Sequence, residues 1–125
     1  MGDVISARAS LLTLHRALLE WQRRQVERFG GRMSASEVLQ AAADDLRFDW
    51  LKELTAVIAE LDAGTPSEDA GQARAALGRA RALLDPPAPD SAFGRRYLQA
   101  LQDDPGVVLY HRDAVSALRA APGPE

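Results

Sequence analysis

The side chains in this 125-residue chain best suited to move a proton or hold a metal near neutral pH are its two histidines, His15 and His111. Both fall on apolar stripes at steps of four, His15 between Leu11 and Leu19 and His111 between Val107 and Val115, which points both inward from helices. Two readings compete. One is a metal- or small-ligand-binding bundle that uses both imidazoles; the other is a pair of core-edge histidines bonded to neighbours. A di-iron bundle needs a Glu-x-x-His pair on separate helices, and zinc needs three or four ligands, half of which would have to be carboxylates here. With no such pairs the second reading is preferred, so no metal and no cofactor are expected, and His15 with His111 is kept as the alternative.

Other constellations carry less. There is no cysteine, which removes thiol nucleophiles, thiolate metal sites and disulfides together and fits a reducing compartment. Serines 6, 10, 34, 36, 67, 91 and 116 occur, none in a Gly-x-Ser-x-Gly turn. The acidic pairs Asp44 with Asp45 and Asp103 with Asp104 stand where helices are expected to meet, which suits caps better than catalysis. Gly30-Gly31 lacks the lysine and hydroxyl of a phosphate-binding loop. An enzyme is therefore not expected.

Charge argues in the same direction. The net charge is −3, and all 15 basic residues except Lys52 are arginine. Arg23, Arg24, Arg28 and Arg32 form one basic group, Arg95 and Arg96 a smaller one. A helix-turn-helix over 34–61 would carry Asp49, Glu53, Glu60 and Asp62 on its second helix, which repels phosphate, so no nucleic acid is expected as partner. No apolar run approaches the roughly 20 residues that span a bilayer, and the opening MGDVISARAS has no signal-peptide pattern, so no membrane partner and a cytoplasmic location are expected.

The elements that must position these residues are helical throughout, since apolar residues recur at three and four and nowhere alternate at two. Val4, Ala7, Leu11, Leu14, Leu18, Val26 and Phe29 predict one long helix from Asp3 to Phe29, stopped by Gly30-Gly31. Ser34 with Glu37 is a capping box for a short second helix bearing Val38, Leu39 and Ala42, followed by a turn or kink at Asp44-Asp45. The densest stripe, Trp50, Leu51, Leu54, Val57, Ile58 and Leu61, predicts a central helix ending at Gly64. Thr65, Pro66 and Glu68 start another to Leu84 on a thin stripe of alanines and leucines. Pro86, Pro87 and Pro89 force an extended connection. Asp90 or Ser91 caps a helix with Phe93, Tyr97, Ala100 and Leu101; Asp103 or Asp104, ahead of Pro105, caps the last.

The expectation is an all-α, single-domain bundle of five or six helices with one long N-terminal helix, residues 1–120 forming the domain and 121–125 a flexible tail.

The runs LHRALLEWQRR (14–24), FDWLKELTAVIAELD (48–62) and FGRRYLQALQDDPGVVLYH (93–111) together resemble a group of short bacterial all-α proteins of unknown function. That group shares a histidine-containing first helix, a Phe-x-Trp-Leu helix and a closing Arg-Tyr, Leu-Gln, Asp-Pro segment. The resemblance implies a self-contained helical domain and no mechanism; Gln22 stands where an acid is common in the group.

The function this leaves is a non-enzymatic helical interaction module that binds itself or another protein. Trp21, Arg24 and Arg28 are the expected contact residues. Trp21 lies at the edge of the first stripe among charged neighbours, aromatic and arginine side chains are enriched in interfaces, and a helix of about 40 Å outruns shorter partners.

Overall fold

The six α-helices of the computed structural model alternate with short connections, and no strand occurs among the described residues, which are 4–64 and 70–121. The first helix, α1 (Val4–Gly30), follows the three-and-four spacing of its leucines. It stops where Gly31 takes φ +81°, a conformation that costs a glycine little, and the Gly31 N–H donates to the Glu27 carbonyl. Next comes α2 (Ala35–Asp44). The Ser34 hydroxyl accepts from the Glu37 N–H at 3.1 Å and the Glu37 carboxylate accepts from the Ser34 N–H at 2.9 Å, so the capping box is formed.

The junction at Asp44-Asp45 resolves into a turn of 3₁₀ helix over Leu46–Leu51, capped by Asp45, whose carboxylate accepts from the Arg47 N–H at 2.9 Å. Helix α3 (Lys52–Gly64) continues from it directly. Thr65, Pro66 and Glu68, expected to start the next helix, lie outside the described residues, as does Ser67; α4 is described from Ala70 to Leu84. After the proline segment, Ser91 caps α5 (Ala92–Asp103) through the Gly94 N–H at 2.8 Å. Asp104 caps α6 (Pro105–Ala120) through the Gly106 N–H at 2.9 Å, with Pro105 in the first turn, where a missing N–H costs nothing.

Helix α1 lies chiefly along α6 and α3 along α4, while α5 closes one end against α6 and the 3₁₀ helix. One core joins them: Leu11, Leu14 and Leu18 of α1, Leu54 and Leu61 of α3, Leu77 and Leu84 of α4, and Leu118 of α6 are all fully buried. Trp50 and Ile58 are buried with them, as the density of that stripe predicts. Arg81 of α4 donates to the Leu118 and Ala121 carbonyls, placing a cation at the negative end of α6. Ala121 is thereby buried and tied down, so order extends one residue past the expected domain end; 122–125 lie outside the described residues.

Three apolar residues leave their expected stripes, among them Val108, expected on the stripe of the last helix and 43% exposed. Phe29 is 94% exposed and Leu39 73% exposed. Phe29 sits in the last turn of α1 next to the glycine stop, and α2 packs mainly on the 3₁₀ helix, so neither side chain has a facing helix to cover it. No described helix is long and apolar enough to cross a membrane.

Candidate functional site

The two histidines do not form a shared site: each is taken up by a different neighbour. His15, half-buried on α1, places Nε2 2.8 Å from Thr55 Oγ1 of α3. The Thr55 hydroxyl already donates to the Leu51 carbonyl at 3.0 Å, so His15 Nε2 carries the proton and donates. His111 on α6 places Nδ1 2.5 Å from Tyr97 Oη of α5. Burial lowers the pKa of both imidazoles; at His111 the nearby Asp85 opposes that effect and Arg119 adds to it. Burial pushes the Tyr97 phenol far up, so it stays protonated and donates to neutral His111. Among the described residues no three His, Asp or Glu side chains are grouped so that they could hold a metal ion.

A continuous row of rings runs across the bundle end. Trp21 meets Trp50 edge-on at 6.0 Å between centroids, Trp50 meets Phe93 at 5.8 Å, Phe93 stacks on Tyr97 at 5.1 Å, and Tyr97 reaches His111 at 5.4 Å. Four elements supply it: α1, the 3₁₀ helix, α5 and α6.

Its polar fastener is Gln22. This side chain is buried, and its Oε1 accepts from Trp50 Nε1 at 2.9 Å and from Arg96 Nη2 at 3.1 Å. Arg96 also lies over the Trp21 ring at 5.5 Å and bonds Gln99. Sequence reasoning passed over Gln22 and Arg96 as centres. The sequence offered no clear signal for Gln22, since Trp21 beside it reads as an edge residue among charged neighbours.

The expected contact residues need correction. Trp21 is 2% exposed rather than at the surface, and its indole N–H donates to Asp103 Oδ2 at 2.8 Å. It is core because the 3₁₀ helix and α5 close over this stretch of α1, with Trp50 edge-on to its ring and Arg96 and Asp103 of α5 against it. Arg24 is exposed but its guanidinium bonds Asp104 at 2.7 Å, fastening α1 to the start of α6. Arg28 remains exposed, on a shallow groove with Gln25, Gln99 and Gln102. Asp44 accepts from Gln40, Asp45 and Asp104 serve as caps, and Asp103 fastens α1 to the end of α5 through the Trp21 indole. Arg95 donates to the Asp90 carbonyl, and Arg23 to Glu27 and the Met33 carbonyl.

What the surface does offer is concentrated elsewhere. Exposed large apolar side chains occur on the segment around α2, with Phe29, Leu39 and the 83%-exposed Leu46, and less fully on α6, with Val108, Leu109 and Tyr110, besides Ile5 near the start of α1. Leu46 and Met33 edge an open groove whose other walls include Glu37, Asp44 and Asp45. A second, more enclosed cleft lies between α3, α4 and the 86–91 connection.

No family model matches the chain, and comparison with curated proteins and with solved structures yields no match either.

Proposed function

We propose that the protein is a non-enzymatic interaction module that binds a second copy of itself through the surface around α2. The observation that carries this reading is that Phe29, Leu39 and Leu46, the three most exposed large apolar side chains among the described residues, all fall between residues 29 and 46. Charge supports a self-complementary contact. Arg28 and Arg32 flank Phe29, while Glu37, Asp44 and Asp45 line the groove beside Leu46. In a two-fold pair the same patch is used by both copies, so each basic edge would meet the other's acidic one.

The non-enzymatic part is supported by the use of the polar side chains within the bundle: His15, His111 and Gln22 are each taken up in bonds that join helices. No nucleic acid or membrane is assigned as partner. The module would act in the cytoplasm, a placement that a chain without cysteine fits.

Sedimentation equilibrium on the wild type and on Phe29→Asp tests the reading. A wild type that dimerises in the micromolar range, with Phe29→Asp monomeric and equally stable, is the expected result. A wild type that stays monomeric at high micromolar concentration overturns self-association.

A further inference from the structure

We infer that the row of rings from Trp21 to His111 conducts one-electron oxidation inward and that Tyr97 is its end point: an outer-sphere one-electron oxidant acting at the tryptophans leaves a radical on Tyr97, whose proton passes to His111. Tyr97 is fully buried, and its hydroxyl stands 2.5 Å from His111 Nδ1. A phenol that loses an electron becomes a strong acid, and a positive charge left inside a core is costly, so oxidation there needs a base already in contact. Neutral His111 is that base. The nearby Asp85 carboxylate favours the imidazolium that forms, against the opposing Arg119. The oxidant gains one electron and Tyr97 loses it; the Oη–H bond breaks, the proton joins His111 Nδ1, and a neutral tyrosyl radical is left beside the imidazolium.

The other rings hold a missing electron less well. Trp50 donates its indole N–H to Gln22 Oε1, an amide that takes up no proton. Trp21 donates to the Asp103 carboxylate, but the Arg96 guanidinium lies over its ring at 5.5 Å, and that cation resists the removal of an electron. Phe93, tilted against Trp50 and stacked on Tyr97, bridges the two and has no acidic proton to give. Access follows the same order. Trp21 and Trp50 each line a surface groove, whereas Tyr97 has no exposed surface, so an oxidant in solution meets the tryptophans first. Tyr110, the second of the two tyrosines, faces solvent at 39% exposure.

The test is flash photolysis of Tyr110→Phe, a surface change that leaves Tyr97 as the one tyrosine. Tris(bipyridine)ruthenium is the photo-oxidant and hexaammineruthenium(III) its quencher, with radicals read by transient absorption and by electron paramagnetic resonance of frozen samples. The expected result is a tryptophan radical that gives way to a tyrosyl radical, more slowly in deuterium oxide because a proton moves with the electron. His111→Gln, which keeps a hydrogen-bond acceptor but no base, should lower the tyrosyl yield about tenfold. A radical that stays on the tryptophans, a tyrosyl radical that forms with no tryptophan precursor, or a yield unchanged in a folded His111→Gln overturns the inference. The isotope effect is read on Tyr110→Phe itself, so it tests the proton transfer even where the glutamine loosens the core, and its absence overturns the inference as well.

Discussion

At the scale of single residues, the buried polar groups set how stability responds to acid. His15 and His111 have folded pKa values below the ordinary 6.5, chiefly because burial disfavours the charged imidazole. The unfolded chain then binds more protons in that range, so stability falls as pH drops through 6.5 and levels off below the folded values. The melting temperature is expected to decrease between pH 7.5 and 5.5, and His15→Gln with His111→Gln to flatten that step. A second loss comes lower. Asp45 is held at about 2 by its side-chain bond to Arg47 and then by the Arg47 N–H, while bonds to Met33, Ser34 and Arg119 lower Glu27, Glu37 and Asp85. These carboxylates are depressed, so their contribution is present above the unfolded values of 3.8 to 4.5 and is lost as pH falls toward 2. Gln22 makes a separate prediction. Gln22→Ala strips the acceptor from the buried Trp50 N–H, which should cost about 1–3 kcal/mol in urea unfolding. Gln22→Glu, which accepts the same bonds and faces the Arg96 guanidinium, should lose less. That such a node exists was not legible from residue types, because a glutamine on a helix reads as surface until two helices are placed on it.

At the scale of elements, caps and stripes were readable because both are local. Ser34 with Glu37, Ser91, and Asp104 before Pro105 each act within three residues, so tertiary structure had nothing to override. The α3 stripe was legible for the same reason. Leu54→Ala is expected to cost about 2–5 kcal/mol, and a loss under about 0.5 kcal/mol would place α3 at the periphery. Gly94 could not be singled out in this way. Its lack of a side chain is needed only because the 86–91 connection folds back onto α5, a contact between segments that the proline run leaves undirected. Gly94→Ala should raise intrinsic helix propensity and still lower the melting temperature, because the added methyl would overlap the Ala88 carbonyl. A higher melting temperature would show that the connection is free to move away.

At the scale of the whole molecule, the charged edges around α2 predict how association responds to mutation. Arg28→Glu with Arg32→Glu should weaken the dimer, and adding Asp44→Arg, which leaves the Ser34–Glu37 capping box intact, should restore part of it, as read by sedimentation equilibrium; loss without any recovery would mean that the edges do not face each other. The same scale separates what was legible from what was not. The all-helical class, the caps at Ser34, Ser91 and Asp104 and the buried face of α3 were determined by the sequence alone, since periodicity and capping are properties of neighbouring residues, whereas the 3₁₀ turn that takes up Trp50 and Leu51 ahead of α3 was not. Which side chains lie at the surface was decided by packing. Trp21 looked like a boundary residue until the 3₁₀ helix and α5 closed over it, and Phe29 looked like core although no helix extends past the end of α1 to meet it. The two histidines share an inward register along their own helices, but a register says nothing of which neighbour each will meet; the packing of α1 on α3 and of α5 on α6 sent His15 to Thr55 and His111 to Tyr97.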